Sequence, residues 1–213
     1  MRPTAAEPTP PWGKRVTIRL LTSVVFAALA VSACSQPEVP PDRFYRIDVA
    51  APSPTNQKTA IAATLVVERP DAAGLADGRP IVYIDSARPN EMLEYNYHFW
   101  AEPPSIMLRD QLVDYLRTAG IANTVVTEDL RISADYAVTG KLKRLERIVG
   151  DSPKVVIEIE LGLRDNRQSR LLHLSTYRGE AVPADDSVST AIDAFNAAFT
   201  DVCALFASEI AAK

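Results

Sequence analysis

Residues 93–120, LEYNYHFWAEPPSIMLRDQLVDYLRTAG, constrain the fold more than any other stretch. Leu93, Tyr95, Tyr97 and Phe99 alternate with the more polar Glu94, Asn96 and His98, the period of a strand with one buried face. Trp100 breaks the polar set. Pro103 and Pro104 must then end the strand, because proline has no N–H for a ladder and fixes φ near the value a helix start needs. Ser105 is the expected N-cap of a helix in which Leu108, Leu112, Tyr115, Leu116 and Ala119 recur at helical spacing. Gly120 follows where a left-handed cap is expected. A core strand, a sharp corner and a core helix are thus encoded in one segment.

The second half of the chain gives a longer alternation. Val155, Ile157, Ile159, Leu161 and Leu163 stand against Val156, Glu158, Glu160, Gly162 and Arg164, which predicts a strand with one buried and one wet face. The strand before it, over 136–149, changes its apolar parity between Leu142 and Leu145, so a bulge is expected near Arg144. Residues 171–180 form the next strand, and the three are expected to pair as an antiparallel meander. Short strands are expected at 44–48, 64–69, 81–84 and around Val125. After Pro183, residues Asp185, Asp186 and Ser187 offer caps for a final helix whose stripe is Val188, Ile192, Phe195, Phe199, Val202, Phe206 and Ile210. The expected fold class is α+β, a two-layer sandwich in which a mostly antiparallel sheet carries the two main helices on one face.

The N-terminus carries an address rather than a fold. Lys14, Arg15 and Arg19 precede an apolar run over 20–31, the length of a signal-peptide core and short for a membrane span. The residues before Lys14, with Pro3, Pro8, Pro10 and Pro11, are unlike a signal n-region, as expected of a start placed too far upstream. Val31-Ser32-Ala33-Cys34 resembles the lipobox of bacterial lipoproteins, in which the cysteine carries a diacylglycerol. Residues 1–33 are therefore expected to be a signal peptide, 34–43 a lipidated Cys34 and its tether, and 44–213 a single domain. The tether, SQPEVPP, would reach on the order of 20 Å as an extended proline-rich segment. Ser35 stands where an aspartate would signal inner-membrane retention in such lipoproteins, so an outer-membrane anchor facing the periplasm is expected. Loss of Arg2, Lys14, Arg15 and Arg19 against the single Glu7 leaves the mature chain more acidic than the formal charge of -4.

That balance argues against nucleic acid as a partner. The two histidines, His98 and His173, and the two cysteines, Cys34 and Cys203, form no metal-spaced set, so no metal or other cofactor is expected. No nucleophile, base and oxyanion constellation is visible either, and the chain reads as a non-enzyme. Glu158 and Glu160 share a face, which reads as solvated charge opposite Lys141, Lys143 or Arg178. Cys203 borders the apolar stripe of the last helix and reads as a small buried hydrophobe. Tyr95, Tyr97 and Phe99 read as core. Trp100 and His98 fall on the opposite parity, where a structural role and a partner surface both stay open for Trp100.

With Phe44-Tyr45-Arg46, Arg79-Pro80-Ile81-Val82-Tyr83 and the run from Tyr95 to Pro104 in place, the chain resembles the ABC-type transport auxiliary lipoproteins, among them the lipoprotein of the paraquat-inducible system. The stretch before Lys14 departs from that pattern. The resemblance implies an outer-membrane lipoprotein accompanying MCE-domain transporters that move lipids or other hydrophobic molecules across the envelope. It implies action by docking on an MCE-domain protein, with phospholipid as a further partner and homo-oligomerisation open. His98, Trp100 and Glu102, at the end of the Tyr-rich strand, are the candidate contact residues. Two other readings stay in view: a stand-alone periplasmic lipoprotein that binds a hydrophobic ligand, and an outer-membrane assembly chaperone.

Overall fold

A computed structural model describes residues 38–52, 59–72 and 74–212. The segment expected to be a signal peptide, Cys34 and the first residues of the expected tether lie outside the described residues. The chain divides into two units, Met1–Pro40 and Pro41–Lys213, and the elements below belong to the second.

Among its described residues are nine strands and two long helices. They are β1 (Arg43–Tyr45), β2 (Ile61–Val67), β3 (Asp71–Ala72), β4 (Pro80–Asp85), β5 (Met92–Trp100), α1 (Pro104–Thr118), β6 (Ala122–Thr127), β7 (Tyr136–Val149), β8 (Lys154–Asp165), β9 (Arg170–Ala181) and α2 (Val188–Ala211). The sheet is organised on β7. One edge pairs along its length with β8, which in turn pairs with β9, and this is the expected antiparallel meander. Its other edge is shared in series by β2, β3 and β4, all parallel to it. β6 extends the sheet beyond β2, while β5 and then β1 extend it beyond β4. The expectation of a mostly antiparallel sheet is therefore corrected: the sheet is mixed. Sequence neighbours pair antiparallel through short turns, but β2, β3 and β4 reach β7 only by long connections, and those can deliver parallel strands.

Local chemistry accounts for the elements. The β7–β8 register shifts between Leu142 and Arg144, the bulge that the parity change requires. Ion pairs cover the wet face of β8, with Lys143 to Glu160 at 3.0 Å and Arg178 to Glu158 at 3.2 Å. On that same face Val156 and Gly162 are buried, so both faces of β8 are largely covered. Helix α1 ends in a Schellman motif: Gly120 has φ +65°, its N–H donates to the Arg117 carbonyl at 3.0 Å, and the Ile121 N–H donates to the Leu116 carbonyl at 3.2 Å. The helix begins two residues earlier than expected. Pro103 is the N-cap and Pro104 the first helical residue, while Ser105 lies inside the first turn and is fully buried. Its hydroxyl accepts from Arg69 Nε and donates to Asp77, both at 2.7 Å, so it ties the helix start to the chain after β2 instead of capping it.

Helix α1 packs against β6 and β2, α2 packs against β8 and β9, and the two helices touch. One core joins both helices to the sheet. Ser187 caps α2 by accepting the Thr190 N–H, and the whole predicted stripe from Val188 to Ile210 is buried. By length and composition α2 could cross a membrane; its apolar face is instead spent on the sheet. Each fully buried phenylalanine in it contributes about 1.5–3 kcal/mol. Gly179 is where β9 meets α2 most closely. A Cβ there would stand 2.3 Å from the Ala198 carbonyl oxygen, so only glycine fits.

Candidate functional site

The C-terminal half of β5 leaves its ladder. Pro80 pairs with Phe99 and Val82 with Glu94, so two steps along β4 correspond to five along β5. The extra residues form a wide bulge that returns to register where Trp100 N–H donates to the Arg79 carbonyl at 2.7 Å. Strand β1 then adds in parallel on the outer edge, with Arg43 opposite His98 and Tyr45 opposite Trp100. The bulge pushes rings together instead of spacing them along a regular face.

Tyr83 and Tyr95 lie 4.5 Å apart between centroids, His98 meets Tyr95 edge-on at 5.5 Å, and Tyr45 stacks on His98 at 5.7 Å. Tyr45 Oη and His98 Nδ1 are hydrogen-bonded at 2.8 Å. Below them sits Arg147 of β7, only 3% exposed. Its Nη1 donates to Tyr95 Oη at 2.9 Å and its Nη2 to the Asp186 carbonyl at 2.8 Å, while its Nε has no partner among the described residues. The Asp186 carboxylate is 4.0 Å away and open to solvent. Burial pushes the Tyr95 phenol above its ordinary range, and the Arg147 charge works against that rise. His98 is held below the usual imidazole range by burial first, then by Arg43 and Arg147. Beside this group, exposed Phe44 stacks on Phe99 at 5.7 Å under the Arg79 guanidinium, 5.4 Å from the ring centre.

Of the three candidate contact residues, Glu102 is exposed and His98 half-buried at the aromatic surface. Trp100 is a correction. It is 1% exposed and packs edge-on against Phe195 of α2 at 5.5 Å, so it faces the core and is not part of a contact surface. The parity argument failed there because the bulge inserts an odd number of residues and inverts the faces beyond it. Tyr95, Tyr97 and Phe99, expected in the core, are half-buried, and Tyr95 packs against the core. Sequence reasoning missed Phe44, Tyr45, Tyr83 and Arg147. Arg147 had a signal: beyond the β7 bulge it shares the parity of Leu145, which is buried.

The arrangement offers ring faces, hydroxyls and an imidazole at a surface, suited to binding by stacking and hydrogen bonding. Among the described residues no three or more His, Cys, Asp or Glu side chains gather where a metal could be held. Cys203 is fully buried, and burial pushes its thiol well above the ordinary range.

Residues 45–211 match the model of the ABC-type transport auxiliary lipoprotein component. The chain belongs to that family. Comparison with curated proteins gives no match. The crystal structure of protein XCC0632 from Xanthomonas campestris is similar with a TM-score of 0.68 at 22% identity, covering 78% of this chain and 92% of that one. A second crystal structure, of an uncharacterized protein, gives 0.63 at 20% identity over 80% and 99% of the two chains. These likenesses concern the fold. The transport auxiliary lipoproteins are not an enzyme family, and the match begins at Tyr45, in the strand that builds the aromatic site.

Proposed function

We propose that this chain is the outer-membrane accessory lipoprotein of an MCE-type ABC transport system, held at the periplasmic face through an acylated Cys34 and acting by docking on the MCE-domain protein. The observation that carries the reading is the family match over nearly the whole folded unit. The lipobox-like Val31-Ser32-Ala33-Cys34 and the proline-rich tether support the anchor. Three acyl chains hold a protein on a bilayer without a transmembrane helix, and anchoring raises the effective concentration of a domain beside its partner, so a weak interface suffices. The docking surface is the end of β5, with His98, Glu102 and the exposed Phe44; Trp100 supports it from beneath.

The test is co-purification from envelopes. Glu102→Arg combined with Phe44→Ala lowers recovery of the MCE-domain protein at least five-fold, with melting temperature and lipidation as in the unaltered chain. Unchanged recovery removes this surface, and absence of any MCE-domain protein among crosslinked partners removes the transport reading. Cys34→Ala leaves the protein soluble in the periplasm or as an uncleaved precursor; a matured mutant still in the outer-membrane fraction overturns the lipid anchor.

A further inference from the structure

The end of the molecule formed by the starts of β2 and β7 and by the β8–β9 turn carries two adjoining depressions, of about 350 Å³ and about 570 Å³, that share Tyr136, Arg167 and Leu172. Both volumes lie in the range of small-molecule sites. The first has an apolar wall drawn from four elements: Ile61 of β2, Leu163 of β8, Leu172 of β9 and Ile210 from the last turn of α2. The second opens beside it between Arg167, Arg170 and Leu171, whose side chain is 54% exposed.

The charges at this mouth are unevenly spent. Asp165 is buried, and its Oδ1 accepts the Arg167 and Gln168 N–H groups at 2.9 and 3.0 Å. Asp135 accepts the Thr64 N–H at 3.2 Å and stands 3.7 Å from Arg167 Nη1. Both carboxylates therefore hold the fold together. Arg167 otherwise makes only a 3.3 Å contact to Tyr136 Oη and lies over that ring at 5.6 Å. Exposed Arg170 has no ion pair or side-chain hydrogen bond among the described residues. The cleft thus has one apolar wall and, at its lip, an uncommitted Arg170 beside an Arg167 that is held by a long pair to Asp135 and by Tyr136.

We propose that this cleft binds one acyl chain of an anionic phospholipid, with the phosphate held by Arg167 and Arg170. Guanidinium forks match phosphate oxygens, and the two arginines lie on one short turn and can share a headgroup. A free phosphate would leave the wall of Ile61, Leu163 and Leu172 unused. An uncharged hydrophobe would leave Arg170 without a partner and Arg167 with only its long pair to Asp135. The site deepens the transport reading by naming a lipid class, and rests on it only for meeting that lipid in the envelope.

Photocrosslinking in cells tests the site in the full-length protein. Benzoylphenylalanine at Leu171 is expected to capture phospholipid, with phosphatidylglycerol and cardiolipin enriched at least five-fold over their share of the membrane. The same probe at Met92, also exposed, captures none or captures lipids in proportion to the membrane. Arg167→Glu with Arg170→Glu cuts the Leu171 adduct at least five-fold. Arg170→Glu alone leaves the Arg167 contacts in place, is expected to cut it about two-fold, and keeps the test valid if the double variant misfolds. Equal adducts at Leu171 and Met92, indifference to headgroup, or adducts that survive charge reversal overturn the proposal. An adduct that persists in cells lacking the MCE-domain protein supports the site even where the docking reading fails. Its loss with co-purification intact removes the site alone.

Discussion

The half of the sheet from β7 to β9 with α2, and the end made by β1, β4 and β5, solve folding in opposite ways. In the first, each strand pairs with its neighbour in sequence, the ladders are long, and α2 covers them with a regular apolar stripe. In the second, β1 meets β5 in parallel across a long connection, the ladder with β4 is broken by a wide bulge, and a buried arginine with an unpartnered Nε lies under the rings. Regular pairing with local partners gives a scaffold that packing fixes. The irregular end gives up ladder bonds, and in return rings and an imidazole come to one surface. Binding groups on an irregular segment held by a rigid body are a common division of labour.

If that division is right, the largest loss belongs to the scaffold. Phe199→Ala is expected to cost about 3–5 kcal/mol in denaturant melts, because the ring is 1% exposed and the site between α2 and the sheet cannot collapse around the gap. A loss below about 1 kcal/mol would place α2 outside the core and erase the contrast. Gly179→Ala comes next. Its methyl would meet the Ala198 backbone, which cannot turn aside as a side chain can, so β9 and α2 must part at about 1–3 kcal/mol. An unchanged melt would mean that this interface is looser than the ladders beneath it.

The same contrast decides how much could be read from the sequence. The meander, the β7 bulge, the Gly120 cap and the α2 stripe follow from periods of 2 and 3.6 and from local cap chemistry, which neighbouring residues set among themselves. The parallel joins of β2, β3 and β4 to β7 depend on partners far away in the chain, and no local pattern carries them. Residue-by-residue parity puts Trp100 on the polar face because it takes no account of the β5 bulge, which turns that side chain into the core. Ser105 has the local pattern of a cap, following two prolines, but its partners, Arg69 and Asp77, come from another part of the chain. Of the site, His98 and Glu102 were legible as polar residues at a strand end. Tyr45 and Tyr83 arrive from separate strands and were not.

A smaller effect should come from the irregular end itself. Arg147→Met keeps bulk and removes two donated hydrogen bonds, to Tyr95 Oη and to the Asp186 carbonyl. A loss of about 1–2 kcal/mol is expected, since both acceptors stand close enough to solvent to recover part of the bonding from water. The Tyr95 phenol titrates still higher in this variant, because the Arg147 charge now opposes the rise that burial causes. Ultraviolet titration of the tyrosines checks this, and a fall in the Tyr95 titration point would reverse the electrostatic picture of the site.

The smallest effect is the most specific to the aromatic end. His98 lies below its ordinary value near 6.5 in the folded protein, through burial and then through Arg43 and Arg147. The unfolded chain therefore takes up a proton at His98 at a higher pH than the folded one does. Stability contributed by this residue is whole above about 6.5, falls as the pH drops through that value, and levels off once the folded imidazole is itself protonated. His98→Gln removes this slope, so denaturant melts of the two proteins diverge most above pH 6.5 and converge in slope below the folded titration point. In Arg147→Met the His98 titration moves back up toward 6.5, because one of the two cations that hold it down is gone, and NMR of the imidazole follows it directly. An imidazole unmoved by loss of Arg147 would mean that burial and Arg43 set its charge state, and that Arg147 serves the fold of β7 more than the chemistry of the surface above it.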